Sequence, residues 1–190
     1  QETEAVAITF FGDGAANQGQ VYESFNMAEL WQLPVLYVIE NNQYAMGTSV
    51  KRSSAETHLH KRGASFAIPG REVDGMDVLA VRDAVAEALT EIRGGGGPFI
   101  LEMKTYRYRG HSMSDPAKYR SKDEVKQMRE EHDPITQAKA RIIEEGWADE
   151  AALKDIDAEV KKVVGDAADF AQSSPEPDPS ELWTDVVKEA

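Results

Sequence analysis

Two unbroken apolar runs, Ala5 to Phe11 and Val35 to Ile39, constrain the fold of this chain more than any other feature. Neither alternates with polar residues, so each reads as a strand covered on both faces, the habit of parallel sheets. Between them Gly12-Asp13-Gly14 makes a turn, and Gln18 to Leu33 carries Val21, Phe25, Ala28 and Trp31 near helical spacing before Pro34 stops it. Strand, turn, helix and strand together describe one right-handed parallel crossover. Asp77 caps a further helix whose apolar stripe is Val78, Val81, Val85, Leu89 and Ile92, ending in Gly94 to Gly97, and Phe99 to Met103 is a third strand. The predicted class is α/β: an open, mostly parallel sheet with helices on both faces.

Beyond residue 120 the pattern turns helical. Ser121 and Glu124 match a capping box, and Leu153, Ile156, Val160, Val163, Ala167 and Phe170 share one side of a long helix. Ser173 to Pro179 breaks it, and Glu181 to Ala190 reads as a last short helix or docking tail. The expected organisation is an α/β domain over 1–120, a helical extension over 121–172, and a Pro-rich linker and tail over 173–190. The first run opens almost at once and without an initiator Met, so a preceding segment is expected.

Charge narrows the function. Of 190 residues, 21 are Lys or Arg and 34 are Asp or Glu, a net charge of −13, which excludes binding nucleic acid or an anionic membrane through a basic surface. The imbalance lies in residues 121–190, with 9 basic against 19 acidic side chains. Lys104 to Lys122 is the exception: six basic residues and one acid, Asp115, make a positive loop on an acidic protein. The chain has no cysteine, which removes disulfides, thiolate metal sites and thiol nucleophiles and fits a reducing compartment. No apolar run approaches the length of a membrane span.

In an open parallel sheet, ligands gather at the carboxyl ends of strands, where Gly12-Asp13-Gly14 lies. The dinucleotide fingerprint fails because Asn17 stands where a third Gly or Ala is wanted, and no Walker-type Gly-Lys-Ser/Thr is present. An aspartate inside a phosphate-binding turn repels its ligand unless a cation intervenes, so Asp13 predicts a metal or no phosphate. Magnesium wants one or two carboxylates with neutral oxygens, water and ligand phosphate. The second strand offers neutral oxygens at Asn41-Asn42-Gln43-Tyr44, with 26 residues between Gly14 and Asn41, the length of one helix and one strand.

Gly12-Asp13-Gly14-Ala15-Ala16-Asn17-Gln18-Gly19 followed at that distance by Asn41-Asn42 resembles the thiamine-diphosphate signature. With Glu40 to Ser49, Val73 to Asp77 and Tyr106 to Pro116, it resembles the alpha subunits of the pyruvate dehydrogenase family from about Val6 to the C-terminus. The resemblance implies a thiamine-diphosphate-binding fold and two cofactors, thiamine diphosphate and Mg2+. Asp13, the Asn42 side chain and the Tyr44 backbone oxygen would be metal ligands, with Gly14 and Ala15 giving backbone contacts to the diphosphate. His111 would be a catalytic, cofactor-contacting histidine on a mobile loop that orders when cofactor binds. Asn41 stays outside the metal shell, and His58, His60 and His132 read as solvent-facing.

Ser112 and Ser49 match serines that are phosphorylated in mitochondrial members of the family. Implied too are oxidative decarboxylation of pyruvate, transfer of the two-carbon unit to a lipoyl group on the acyltransferase of the complex, and an alpha2beta2 heterotetramer whose beta subunit supplies the activating glutamate. The family's N-terminal segment, with further diphosphate and substrate contacts, is missing from this sequence. Neither nucleic acid nor membrane is an expected partner, and the expected location is the bacterial cytoplasm, or the mitochondrial matrix in a eukaryote. Branched-chain 2-oxo acid and acetoin dehydrogenase alpha subunits are the near alternatives, and a non-catalytic nucleotide- or partner-binding α/β domain the distant one.

Overall fold

The computed structural model describes residues 4–184, which fall into two compact units, one up to Ala138 and one from Lys139 onward. Twelve elements carry them: β1 (Ala7–Gly12), α1 (Gly19–Leu30), β2 (Val35–Asn41), β3 (Tyr44–Ala45), β4 (Thr48–Ser49), α2 (Val50–Ser53), β5 (Gly70–Asp74), α3 (Val78–Glu91), β6 (Phe99–Lys104), α4 (Lys122–Glu131), α5 (Pro134–Glu144) and α6 (Glu150–Ser173). A 3-10 segment, Leu59–Phe66, precedes β5.

The main sheet has the order β1-β2-β6-β5 with every pairing parallel. β2 and β6 lie inside it, and Leu36, Ile39, Ile100 and Leu101 are fully buried. Each such side chain contributes about 1.5–3 kcal/mol of transfer free energy. Phe25 and Ala28 of α1 pack on Tyr37, Ile39 and Ile100 on one face, where Phe25 meets the Tyr37 ring edge to face at 4.7 Å. Ala84, Ala88 and Ile92 pack on Leu36, Val38 and Leu101 on the other face. Helices thus cover both faces, as expected, and Asp77 caps α3 by accepting from the Leu79 and Ala80 amides.

Several expectations need correction. β1 is not covered on both faces: among the described residues it lies at the sheet edge with β2 as its one neighbour, and Ile8 and Phe10 are 44% and 64% exposed. α1 ends at Leu30 and Trp31 is exposed, because the residue sits at the helix terminus outside the buried line through Phe25 and Ala28. Val78 is exposed too, because the small residues Ala84 and Ala88 face the sheet at the centre of α3. β5 escapes the sequence pattern because Gly70-Arg71-Glu72-Val73-Asp74 has a single apolar side chain. The capping box at Ser121 is half formed: its hydroxyl accepts from the Glu124 amide, while the Glu124 carboxylate accepts instead from the Tyr106 hydroxyl at 2.8 Å.

In the second unit α6 carries the expected stripe, with Leu153 buried and Ile156, Val160, Val163 and Phe170 exposed. Their spacing of three and four residues alternates, the pattern of a helix-packing seam. Lys139 and Asp157 form an ion pair at 2.7 Å. Pro179–Trp183 is a short 3-10 turn, and the rest of the expected terminal helix, from residue 185, lies outside the described residues.

Candidate functional site

The register of β1 on β2 sets Gly12 opposite Glu40, so Asp13 follows β1 beside Asn41, the last residue of β2, at the carboxyl end of the sheet. No strand intervenes between them. Asp13 is only 4% exposed. Burial raises its pKa above the ordinary carboxylate value, and the amides of Asp13 and Asn42 with the charges of Arg107 and Lys104 offset part of that rise. A cation close by would relieve the cost of burying the ionised form.

Beyond Asp13 the chain makes a single 3-10 turn, Ala15–Asn17. The first N–H groups of a helical turn have no partner within it, and Gly14 and Ala15 open this one. Gly14 has an ordinary right-handed conformation, φ −68°. Its lack of a side chain is demanded by packing, since a Cβ there would stand 2.5 Å from the Ala45 Cβ.

After β2 the chain turns through Gln43, a left-handed residue with φ 74°. The Asn41 Oδ1 accepts from the Gln43 amide at 3.1 Å, and the Asn42 Oδ1 meets the Tyr44 amide at a long 3.4 Å. The Tyr44 carbonyl faces the Arg107 Nη2 at 3.5 Å. Contacts of that length are weak, which leaves oxygen lone pairs on Asn42 and Tyr44 for another partner. A carboxylate, an amide oxygen and a carbonyl form an oxygen-only donor set, which suits a hard cation such as magnesium.

Asn41 points instead to β6, where its Nδ2 donates at 2.6 Å to the buried Glu102. His60 is not solvent-facing: its amide and its Nδ1 both approach the same Glu102 carboxylate, at 3.0 and 2.9 Å. His58 pairs with Glu72 at the surface, and His132 is exposed. Ligand atoms of His60, Glu72 and Glu102 lie within 4.8 Å of one another. Lys104 Nζ stands 3.6 Å from Glu72 and 3.3 Å from Glu102, so this cluster already holds its cation and is an ion network.

The positive loop follows β6 and returns to the same end of the sheet. Arg107 reaches the carbonyls of Tyr44 and Met46, and its Nη1 lies 3.4 Å from the His111 Nδ1. Asp115, the one acid of the loop, is its hub, accepting from the His111 amide at 2.7 Å, the Ala117 amide at 2.8 Å and the Tyr119 hydroxyl at 2.8 Å. These bonds, the His111 amide first, hold its pKa down to about 2. A depressed carboxylate stabilises above its unfolded pKa, so the tether persists at neutral pH and is lost as pH falls through about 2. Asp115→Ala is expected to leave the sheet intact and to speed tryptic cleavage after Arg109 several-fold, read by mass spectrometry. Arg120 adds bonds to the Arg107 and Arg109 carbonyls and stacks over Tyr106.

The family model described as "Dehydrogenase E1 component" matches residues 1–180. The chain belongs to the dehydrogenase E1 component family. It is 69% identical to the pyruvate dehydrogenase E1 component subunit alpha of Rhizobium meliloti over 96% of this chain and 52% of that protein. Identity to the subunit of the same name from Zymomonas mobilis is 56%, over 95% of this chain and 51% of the relative. To the mitochondrial form from Sminthopsis macroura it is 50%, over 95% and 50%. This E1-family chain therefore spans about half the length of the curated relatives it matches.

Within the E1 chain, Asp13, Asn42, Tyr44 and His111 come to one end of one sheet, as does the turn that Gly14 and Ala15 open. Ser112 is exposed, with its Oγ 3.0 Å from that of Ser114. Ser49 immediately precedes α2, and its carbonyl accepts from the Ser53 hydroxyl. Arg62 was not legible as part of the site: from the 3-10 segment it donates to the Ala16 carbonyl and the Asn17 side chain, both at 2.9 Å. Glu102 stands inside an apolar strand, and a lone acid among Ile100, Leu101 and Met103 is the sequence signal that marks it.

Proposed function

We propose that this chain is the cofactor-binding part of a pyruvate dehydrogenase alpha subunit that holds thiamine diphosphate through magnesium. The observation that carries the reading is the buried Asp13 beside the Asn42–Tyr44 turn, on adjacent parallel strand ends. The relatives named above support pyruvate as substrate, rather than branched 2-oxo acids or acetoin.

Asp13, the Asn42 Oδ1 and the Tyr44 carbonyl would hold the ion, and Asp13 would remain ionised because the cation relieves the burden of its burial. The amides of Gly14 and Ala15 would face the diphosphate. His111 would contact the cofactor near the reacting centre, and Arg107 and Arg109 would supply positive charge to the same loop. When bound, thiamine diphosphate supplies the nucleophilic carbon and the electron sink for decarboxylation. The chain's own residues bind and orient it. The family resemblance implies that the acid which activates the aminopyrimidine comes from a beta subunit, in an alpha2beta2 assembly. The exposed seam of α6 provides apolar surface for such association.

The two-carbon unit would pass to a lipoyl group on the acyltransferase of the complex. Among the described residues no helix is long and apolar enough to cross a membrane, and the reading places the protein in the bacterial cytoplasm, or in the mitochondrial matrix of a eukaryote. A phosphate on Ser112 would add negative charge beside the diphosphate site and oppose binding; Ser49, the last residue of β4 and the partner of Tyr44 in the hairpin, is the second such position.

The test is calorimetric titration of thiamine diphosphate into the full-length alpha chain assembled with its beta chain, with magnesium and with chelator. Heat that depends on magnesium, with turnover of pyruvate above branched 2-oxo acids, is the expected result. Equal heats in both conditions would sink the reading and favour a non-catalytic binding domain.

A further inference from the structure

Glu102 is the least accessible charged group of the sheet. It is 0% exposed on an interior strand, where a carboxylate left unpaired is strongly destabilising. Each of its partners donates: Asn41 Nδ2, the His60 amide, His60 Nδ1 and Lys104 Nζ. An acceptor-only carboxylate opposite His60 places the ring proton on Nδ1. Burial pushes the Glu102 pKa up, and the hydrogen bonds from Asn41 and His60 with the Lys104 charge more than reverse this, leaving it below its ordinary value.

The bond to Asn41 leads somewhere. With its Nδ2 fixed on Glu102, the Asn41 side chain presents Oδ1 to the Gln43 amide, holding Gln43 in its left-handed conformation. The Gln43 carbonyl then accepts from Val50, the first residue of α2. Asn42 and Tyr44 flank Gln43, so the direction of their oxygens is set by a residue that Glu102 orients. The second anchor is the Leu59–Phe66 segment. It binds Glu102 through His60 and, through Arg62, binds the carbonyl of Ala16 in the turn after Asp13. One short segment thereby ties both strand ends of the site together.

We infer that Glu102 is a positioning residue for the metal-binding turn, acting through Asn41, with the His60–Arg62 segment bracing that turn against the one that follows Asp13. This rests on the function proposed above. A carboxylate is required there, because glutamine would turn an N–H2 donor against at least one of the surrounding donors.

The experiment uses the full-length alpha chain assembled with its beta chain and reads two quantities: amide exchange at Gln43 without cofactor, and the Kd for thiamine diphosphate with magnesium. Glu102→Gln is expected to speed Gln43 exchange at least tenfold relative to the Ile100 and Leu101 amides and to weaken cofactor binding at least tenfold. Glu72→Gln, altered in the same ion network but not bonded to Asn41, is expected to keep affinity within twofold. Asn41→Ala should reproduce the Glu102→Gln effects, and combining the two should add less than a further twofold, the signature of one residue working through the other. Unchanged Gln43 exchange and affinity in Glu102→Gln, or full additivity in the double variant, would overturn the inference. If Glu102→Gln does not fold, Asn41→Ala decides alone, and unchanged exchange there refutes it. A wild-type assembly without magnesium-dependent binding would refute the proposed function, while Gln43 exchange would still decide whether Glu102 holds the turn.

Discussion

Asp13→Asn should abolish magnesium-dependent binding of thiamine diphosphate while leaving the cofactor-free fold as stable as before, or more so. The two effects have opposite signs for one reason. In the absence of a cation, burial raises the folded-state pKa of Asp13 above its ordinary value of 3.8, so folding favours the protonated acid. Its contribution to stability is then full below the unfolded pKa and lost as pH rises through the folded pKa, which makes the neutral-pH carboxylate a burden on the empty fold. Asparagine removes that burden with almost no change of shape. It also removes the only carboxylate of the oxygen set, and with it the charge that offsets dehydration of the metal. Losses of 10–100-fold follow from disturbing groups that merely orient ligands, so loss of a ligand charge should exceed roughly 100-fold. Calorimetric titration with and without magnesium reads the binding, and melting in chelator reads the fold. Wild-type affinity in Asp13→Asn would remove the metal from this turn.

The second large effect concerns Gly14. Glycines in such turns are commonly explained by close approach of the backbone to a phosphate. Here the nearest obstacle to a side chain is protein: an added Cβ would lie 2.5 Å from the Ala45 Cβ, at the turn end of the hairpin that carries Tyr44. Neither atom ends a flexible side chain, so the hairpin must move. Gly14→Ala is expected to cost about 1–3 kcal/mol of stability and to displace the Tyr44 carbonyl, weakening cofactor binding at least tenfold. Ala45→Gly removes the opposing methyl. The pair Gly14→Ala with Ala45→Gly should therefore recover most of both losses, as read by melting and by titration. If the double variant stays as impaired as the single one, space for the ligand, not hairpin packing, is what fixes glycine at this position.

The parts of this molecule legible in the sequence are those set by local pattern. Asp77 announces the start of α3, the Val35 to Ile39 run announces an interior strand, and the interval between Gly14 and Asn41 places two polar strand ends together. Asp13 is recognisable because a carboxylate in a glycine turn needs a cation. What escaped depends on residues distant in sequence. Nothing near Glu102 indicates that its carboxylate will meet Asn41, 61 positions away. Arg62 lies in a polar stretch without periodicity and reaches Ala16 only because α1 and the 3-10 segment share a face. β5 has one buried apolar residue and owes its strand geometry to pairing with β6. The same long-range dependence explains β1. Its composition is that of a covered strand, but how much of a strand is covered depends on what lies beside it.

That edge has a practical consequence. β1 presents a row of backbone donors and acceptors on the side away from β2, flanked by Ile8 and Phe10, above an apolar groove lined by Leu36, Val38, Val81 and Met103. Such a border is a template on which another extended peptide can crystallise into the ladder. Prepared by itself at high concentration, the 190-residue chain would be expected to stick to its own kind, and a charged residue at position 10 would be the simplest way to keep it in solution.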